Sequence, residues 1–255
     1  MKITHIRNAT MVIEYDHHVI LVDPMLSDKG ETGPPFTLFR FKPRRNPVVG
    51  LPENAMALIN KTTLCLITHL HPDHLDKKGE TFLKEKNIPV ICSVNDEKVL
   101  RKRGLNVFQA INYWSPVDFP GGSIEGIPAL HGYGYVAKLM RNVMGFYLKT
   151  TSGKSIYLSS DTIYTEDVHK VLTEYQPDIS VVAAGSAQMD LLQPLLMTME
   201  DILKFIENAP GKVIANHLEA VNHCPTTREE LAKEVADRGH DDRAHIPIDG
   251  EVVAI

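Results

Sequence analysis

The chain has 255 residues, 43% hydrophobic and 23% charged, with a formal net charge of −5. That composition excludes disordered, collagen-like and coiled-coil chains and allows a core that folds without staples. The negative charge argues against a general polyanion binder, so no nucleic-acid partner is expected, and three cysteines (Cys65, Cys92, Cys224) imply no disulfide framework.

The first twenty residues carry Glu14, Asp16 and histidines and lack the apolar run of a signal peptide. No stretch is long and apolar enough to span a bilayer, so a cytoplasmic protein is expected. The opening reads as a β-meander, with β-rich runs at 2–7, 10–15 and 19–23 and a turn at Asp16-His17. Residues 24–52 lose periodicity and hold Pro24, Pro34, Pro35, Pro43, Pro47 and Pro52. Phe36, Phe39 and Phe41 stand there beside Arg40, Arg44 and Arg45, which reads as an ordered active-site flap over 27–52. From Leu64 the pattern becomes α/β: strand 64–68, helix 77–86, strand 89–93, and a helix capped by Asn95 or Asp96 running to Arg103. Strands follow at 113–119, 123–130, 143–150 and 155–159, with turns at 120–122 and 151–154. Strand and helix then alternate: helix 166–175 stopped before Pro177, strand 179–183, helix 199–208 and strand 212–215. Thr226 with Glu229 forms a capping box for a helix to about Arg238, and a strand at 251–255 closes the chain. Without repeats or a linker-like shift in composition, 1–255 reads as one domain. The order of elements suits two sheets packed face to face with helices outside.

The chemistry sits in Thr68-His69-Leu70-His71-Pro72-Asp73-His74, directly after an apolar strand. In extended backbone His69 and His71 point to one side and can grip one metal together. Pro72 turns the chain, so Asp73 and His74 emerge elsewhere and suit a second metal. Imidazole nitrogen and carboxylate oxygen are ligands that Zn²⁺ and similar divalent ions accept. A solvated histidine-rich loop rarely has this spacing at a strand end. The remaining ligands must come from elsewhere, and His131, Asp161 and His217 each follow a strand. Singly, such residues are more often structural; together they repeat one pattern of strand, ligand and turn, and such ends converge on one rim of a layered α/β structure.

His-x-His-x-Asp-His followed by a distal His, Asp and His resembles the metallo-β-lactamase-fold hydrolases over essentially the whole chain. Leu21-Val22-Asp23-Pro24, His131-Gly132 and Tyr157-Leu158-Ser159-Ser160-Asp161-Thr162 bring it nearer the subgroup of L-ascorbate-6-phosphate lactonase and N-acyl-phosphatidylethanolamine phospholipase D. Ser160 stands where that family usually has glycine. The resemblance implies a four-layer αββα sandwich of two mixed β-sheets. It implies His69, His71 and His131 on one metal, Asp73, His74 and His217 on another, and Asp161 bridging both. It further implies two divalent ions, Zn or Mn with Fe as an option, and a bridging hydroxide as nucleophile. Asp73 can also accept a proton.

His217 and His223 share a dense patch with Cys224, and only one of the two histidines is needed as a ligand. His217 at the strand end fits better, which leaves His223 to contact substrate, donate a proton or simply pack. Cys224 reads as a small buried hydrophobe. Asp23 reads as a partner of backbone or of a ligand histidine. Arg44, Arg45 and Asn46 after the aromatic flap can bind a phosphate or carboxylate or form a solvated charged loop, Tyr133 beside His131 can line the pocket or simply pack, and Arg228 on the last helix can reach an anionic substrate or make a surface salt bridge. The leading expectation is a dinuclear hydrolase of a small lactone, ester or phosphodiester, with homo-oligomerisation open. The alternatives are a ribonuclease Z-like nuclease, which the charge and the lack of an added arm disfavour, and a non-catalytic metal-binding protein. Oxygen-reducing relatives carry Glu where this chain has His71.

Overall fold

In the computed structural model, which describes residues 1–140 and 142–254, two seven-stranded sheets stack face to face. The first contains β1 (Lys2–Arg7), β2 (Thr10–Tyr15), β3 (His18–Val22), β4 (Leu64–Leu66), β5 (Pro89–Ser93), β6 (Asn106–Ile111) and the last strand, β14 (Val252–Ala254), in the order β14-β1-β2-β3-β4-β5-β6. The second contains β7 (Val117–Phe119), β8 (Gly122–Pro128), β9 (Met144–Thr150), β10 (Ser155–Leu158), β11 (Ile179–Ala183), β12 (Lys212–Asn216) and β13 (Ala244–His245), in the order β13-β12-β11-β10-β9-β8-β7. Each sheet is antiparallel in one half and parallel in the other.

The period-2 patterns decide which side chains meet between the sheets. Ile20, Val22, Leu64 and Leu66 from the first sheet pack with Phe146, Leu148, Ile156, Leu158 and Val181 from the second. The intervening Leu21 and Cys65 face outward and pack with α1 (Ala55–Ile59), α2 (Lys77–Glu85) and α3 (Val94–Lys102) through Ala55, Ile59, Phe82, Leu83 and Leu100. Tyr157, Val182 and Val213 face the other way, onto α5 (Glu166–Lys170), α6 (Met199–Asn208) and α7 (Arg228–Asp237). The result is the αββα sandwich. A single turn, α4 (Val136–Leu139), lies outside these layers.

The differences from the sequence reading have local causes. The cap of α3 is Ser93, the last residue of β5, whose side chain accepts from Asn95 N–H; strand passes into helix without a loop. Two adjacent threonines could cap α7, and Thr227 does so with Glu230, not Thr226 with Glu229. The run 113–119 is broken: Trp114 takes φ 54°, Tyr113 makes only an isolated bridge to Gly126, and strand resumes at Val117. Its place is taken by β6, which is too mixed in composition to stand out. Helix 166–175 loosens into a π turn over Val171–Tyr175 and ends on Gln176 in the left-handed region. The short α1, α4 and β13 were not anticipated, and Ile255 of the expected last strand lies outside the described residues.

Candidate metal centre

The ligand-type side chains come from the ends of β4, β8, β10 and β12, at one rim of the sandwich. Beyond β4, Thr68 and His69 run on before the chain turns, with His74 N–H and Leu75 N–H both donating to His71 O. His131 follows β8, Asp161 follows β10 and His217 follows β12. Ser160 and His217 both take left-handed backbone, at φ 58° and 60°. The position where relatives have glycine is therefore one that favours glycine.

Three overlapping groups of these residues could each hold an ion: His69, His71 and His131; His69, His74 and Asp161; and Asp73, His74 and His217. His69 Nε2 lies 3.1 Å from His71 Nδ1, and His74 Nε2 lies 3.2 Å from His217 Nε2. Asp161 reaches His74 Nε2 at 3.2 Å, His131 Nε2 at 3.4 Å and His217 Nε2 at 3.6 Å, while Asp73 Oδ2 lies 3.4 Å from His217 Nε2. Asp161 Oδ1 is nevertheless buried without a hydrogen bond. Within each group the ligand atoms all lie within 4.8 Å of one another, close enough to share one cation. The set fits one or two borderline divalent ions.

The electrostatics agree. Burial, with His131 next to it, pushes His71 down to about 4. Burial would also lower His74, but Asp161 and Asp23 outweigh it and raise it to about 10. His217 is raised in the same way, chiefly by Asp161 against its burial. Burial alone would raise Asp161 and Asp73, yet the surrounding imidazoles hold both well below the usual carboxylate range. Two buried carboxylates thus draw protons onto the imidazoles facing them, which is the demand for positive charge that a metal would meet.

The outward nitrogens are fixed. Asp23 Oδ2 accepts from His74 Nδ1 at 2.8 Å and from the Thr68 hydroxyl at 2.7 Å, and Asp23 Oδ1 accepts from Thr68 N–H at 2.8 Å. His131 Nδ1 donates to Leu195 O at 2.9 Å, and the Thr68 hydroxyl lies 3.0 Å from His69 Nδ1. His217 Nδ1 has a thiol neighbour, Cys224 Sγ at 3.4 Å. These contacts leave His69, His74, His131 and His217 presenting Nε2 inward. Asn8, with φ 56°, donates from Nδ2 to Asp73 O, and its carbonyl accepts His217 N–H at 2.9 Å.

A pocket of about 160 Å³ opens beside the cluster, lined by Phe36, His71, Pro72, Asp73, His131, Met140, Met189, Leu195 and His223. Phe36 meets the His223 ring edge-on at 4.8 Å. His223 Nδ1 is buried without a partner, and burial pushes this imidazole down to about 4.

The structure thus brings His69, His71, Asp73, His74, His131, Asp161 and His217 into one cluster, with His223 at its mouth. The five substrate candidates are not brought there. Arg228 is engaged by Glu219 and Asp249, and by Pro247 O at 2.8 Å. Tyr133 hydroxyl bonds Asp201, and Asn46 is buried in a reciprocal pair with Asn222. Arg44 lines a separate recess with Phe41, Lys42 and Cys224, and Arg45 is exposed.

Sequence reasoning missed Asn222 and Asp190, which fasten segment 36–46. Asn222 Oδ1 accepts from Phe36 N–H, and Asp190 accepts from the N–H groups of Leu38, Phe39 and Arg40 at 2.8 Å each. Asn222 sat in the noted 217–224 patch; nothing local marked Asp190.

Residues 18–217 match the family described as "Beta-lactamase superfamily domain". The UPF0173 protein YddR of Bacillus subtilis (strain 168) is 32% identical over 98% of both chains. A UPF0173 metal-dependent hydrolase of Flavobacterium johnsoniae is 25% identical over 94% of this chain and 95% of its own. Among solved structures, the isothiocyanate hydrolase from Delia radicum gut bacteria superposes with a TM-score of 0.90 at 29% identity, covering 100% of this chain and 99% of the other.

Proposed function

The chain belongs to the β-lactamase superfamily domain family and is a metal-dependent hydrolase of that fold, and from its centre we propose that it uses two divalent ions to hydrolyse a small, uncharged, apolar electrophile such as an isothiocyanate. The observation that carries this reading is the union of a seven-ligand cluster with a pocket of about 160 Å³ walled by Phe36, Pro72, Met140, Met189 and Leu195. The size suits a substrate smaller than the drug-sized ligands that fill about 300–1,000 Å³. Among the described lining residues none is Arg or Lys, so nothing in that wall selects an anion.

His69, His71 and His131 would hold one ion, Asp73, His74 and His217 the other, and Asp161 would face both. When bound, such ions supply Lewis acidity and lower the pKa of a bound water from 15.7 to about 7. The apolar wall excludes bulk water and orients the substrate's hydrocarbon part. His223, neutral at pH 7, presents its imidazole to the pocket and can pass a proton to the leaving nitrogen. Asp73, kept ionised against its burial by the imidazoles around it, would serve as a ligand to the second ion. For an isothiocyanate, one water is consumed, its oxygen joins the central carbon and both protons end on nitrogen, giving an amine and carbonyl sulfide. Two supports stand behind this substrate: the apolar wall and the likeness to the isothiocyanate hydrolase. The resemblance to the lactonase and phospholipase D subgroup adds lactones, esters and phosphodiesters to the test panel.

The test is metal content per chain of untagged protein by elemental mass spectrometry, followed by amine release from benzyl isothiocyanate beside that panel. About two equivalents, turnover of the uncharged substrates, and loss of turnover in an Asp161→Asn variant that is still folded are expected. One equivalent or fewer after reconstitution, or undiminished turnover in Asp161→Asn, would refute the reading.

A further inference from the structure

The segment that carries Phe36 to the mouth is apolar and cationic in a chain whose net charge is −5. Phe39 is 88% exposed, Leu38 51%, Leu191 77%, Leu192 55%, Tyr135 66% and Leu139 49%. Their adjacency follows from hydrogen bonds. Asp190 binds the N–H groups of Leu38, Phe39 and Arg40, which sets that tip against Leu191 and Leu192. Tyr133 N–H donates to Pro194 O, which places the turn bearing Tyr135 and Leu139 beside the same segment. Met189 and Met140, the neighbours of Asp190 and Leu139, line the mouth itself. Singly exposed hydrophobes are ordinary, but six large ones on segments held together in this way are the grouping that marks an interaction site. Within the same loop stand Arg40, Lys42, Arg44 and Arg45, all exposed, and none makes an ion pair among the described residues. Of the acids beside them, Asp190 is engaged by the loop's own backbone and the Thr37 hydroxyl, and Glu219, which shares the recess of Lys42 and Arg44, is engaged by Arg228.

We infer that this rim docks on an anionic lipid surface, with Leu38, Phe39, Leu191 and Leu192 entering the headgroup boundary and the loop cations meeting lipid phosphates. Cations flanking protruding apolar and aromatic side chains are the composition that binds such an interface. A second copy is a poorer occupant, because a two-fold contact through this loop would set its four cations against themselves. A nucleic acid would use the cations but leave Leu38, Leu191 and Leu192 without stacking partners. Docked this way, the mouth opens toward lipid. The inference rests on the surface alone and survives if the proposed substrate is wrong.

The test is co-sedimentation of the metal-loaded protein with vesicles of phosphatidylglycerol and phosphatidylcholine, against phosphatidylcholine alone. At about 0.1 M salt the anionic vesicles should retain at least tenfold more protein, and retention should fall as salt rises. Lys42→Gln with Arg44→Gln should lower binding by roughly fivefold per cation removed. Phe39→Ser with Leu191→Ser should lower it by about tenfold or more, with melting unchanged. Equal recovery with both vesicle types, or undiminished binding by the Phe39 and Leu191 variant, would overturn the inference. So would a wild-type dimer that Phe39→Ser dissociates, or tighter retention on single-stranded RNA than on anionic vesicles.

Discussion

Replacing Asp23 by Asn tests the centre without touching a ligand. Asp23 accepts three hydrogen bonds of 2.7–2.8 Å, from Thr68 N–H, the Thr68 hydroxyl and His74 Nδ1–H. Asparagine keeps one oxygen, which can stay with Thr68 N–H. Its amide NH₂ then faces His74 Nδ1–H, donor against donor. The contact is relieved if His74 takes the other tautomer, with its proton on Nε2, and in that form Nε2 cannot bind a metal. Loss of such an outer partner typically lowers metal affinity by about 10–100-fold, or about 1.4–2.7 kcal/mol. At saturating metal the holo protein should lose stability by a similar amount through linkage, which separates this effect from any change in the apo protein. Chelator-competition titration with Zn²⁺ or Co²⁺, beside denaturant melts of apo and holo forms, reads both quantities. If Asp23→Asn binds metal within about threefold of wild type, Asp23 does not set the orientation of His74 and the tautomer argument fails.

Cys224→Ala should weaken metal binding by about tenfold, the low end for an outer partner because sulfur is a weak acceptor for His217 Nδ1; elemental analysis after limiting chelation should show fewer metal equivalents. Ser160→Gly should stabilise the protein by about 0.5–1 kcal/mol in denaturant melts, since φ 58° is strained for serine and its buried hydroxyl has no partner. Asn8→Gly keeps the left-handed backbone but removes the Nδ2 bond to Asp73 O, so metal affinity should fall severalfold with little change in melting, while Asn8→Ala should also lose about 1 kcal/mol of stability. Burial acts to raise the Asp190 carboxyl, but the Arg40, Thr37, Leu38 and Phe39 donors prevail and depress it. Its contribution to holding the loop is therefore full above the ordinary carboxylate pKa and is lost as pH falls below it. Amide exchange at Leu38, Phe39 and Arg40, corrected for intrinsic rates, should accelerate below about pH 4, and Asp190→Ala should show that acceleration already at pH 7.

The elements that could be read from the chain are those whose pattern and partners are local. Leu64 and Leu66 facing in with Cys65 facing out is a period-2 signal that survives into the packed structure. His69-x-His71 following that run puts two ligand-type side chains on one side of an extended segment, and the structure brings both into the cluster. The distal three, His131, Asp161 and His217, were legible as polar residues closing apolar strands, and the structure places them in the same cluster. What was illegible depends on partners far along the chain. Asp190 earns its place through amides 150–152 residues away, and Asn222 through Asn46 and Phe36 at a separation of up to 186. Of the two readings open for Arg228, the structure shows the ion pair; its partner Asp249 lies beyond a helix and a strand, so the sequence alone does not choose between them. Caps shifted by one or two residues where neighbouring side chains had equal capping chemistry, as at Thr226 and Thr227.

The placement of the centre follows from how each sheet changes direction. In each sheet the antiparallel half packs without needing crossovers, whereas the parallel half requires helical connections and leaves strand ends facing the same rim. The ligand-type residues of the first sheet sit on the loop after β4 and those of the second after β10, β12 and β8; β8 belongs to the antiparallel half but runs the same way as β10, because both are antiparallel to β9. Neither set is complete by itself: Asp73 and His74 belong to one sheet and His217 to the other. What ties the two loops together is the turn between β1 and β2. Asn8 accepts His217 N–H through its carbonyl and donates to Asp73 O through its side chain. Arg7, fully buried, donates to Met25 O, Ser27 O and Val49 O and holds both ends of the segment that carries Phe36 to the mouth. One hairpin therefore sets the spacing of the ligands across the sheets and the position of the wall over them. Metal affinity and pocket shape are for this reason coupled through residues 7 and 8, neither of which is itself a ligand.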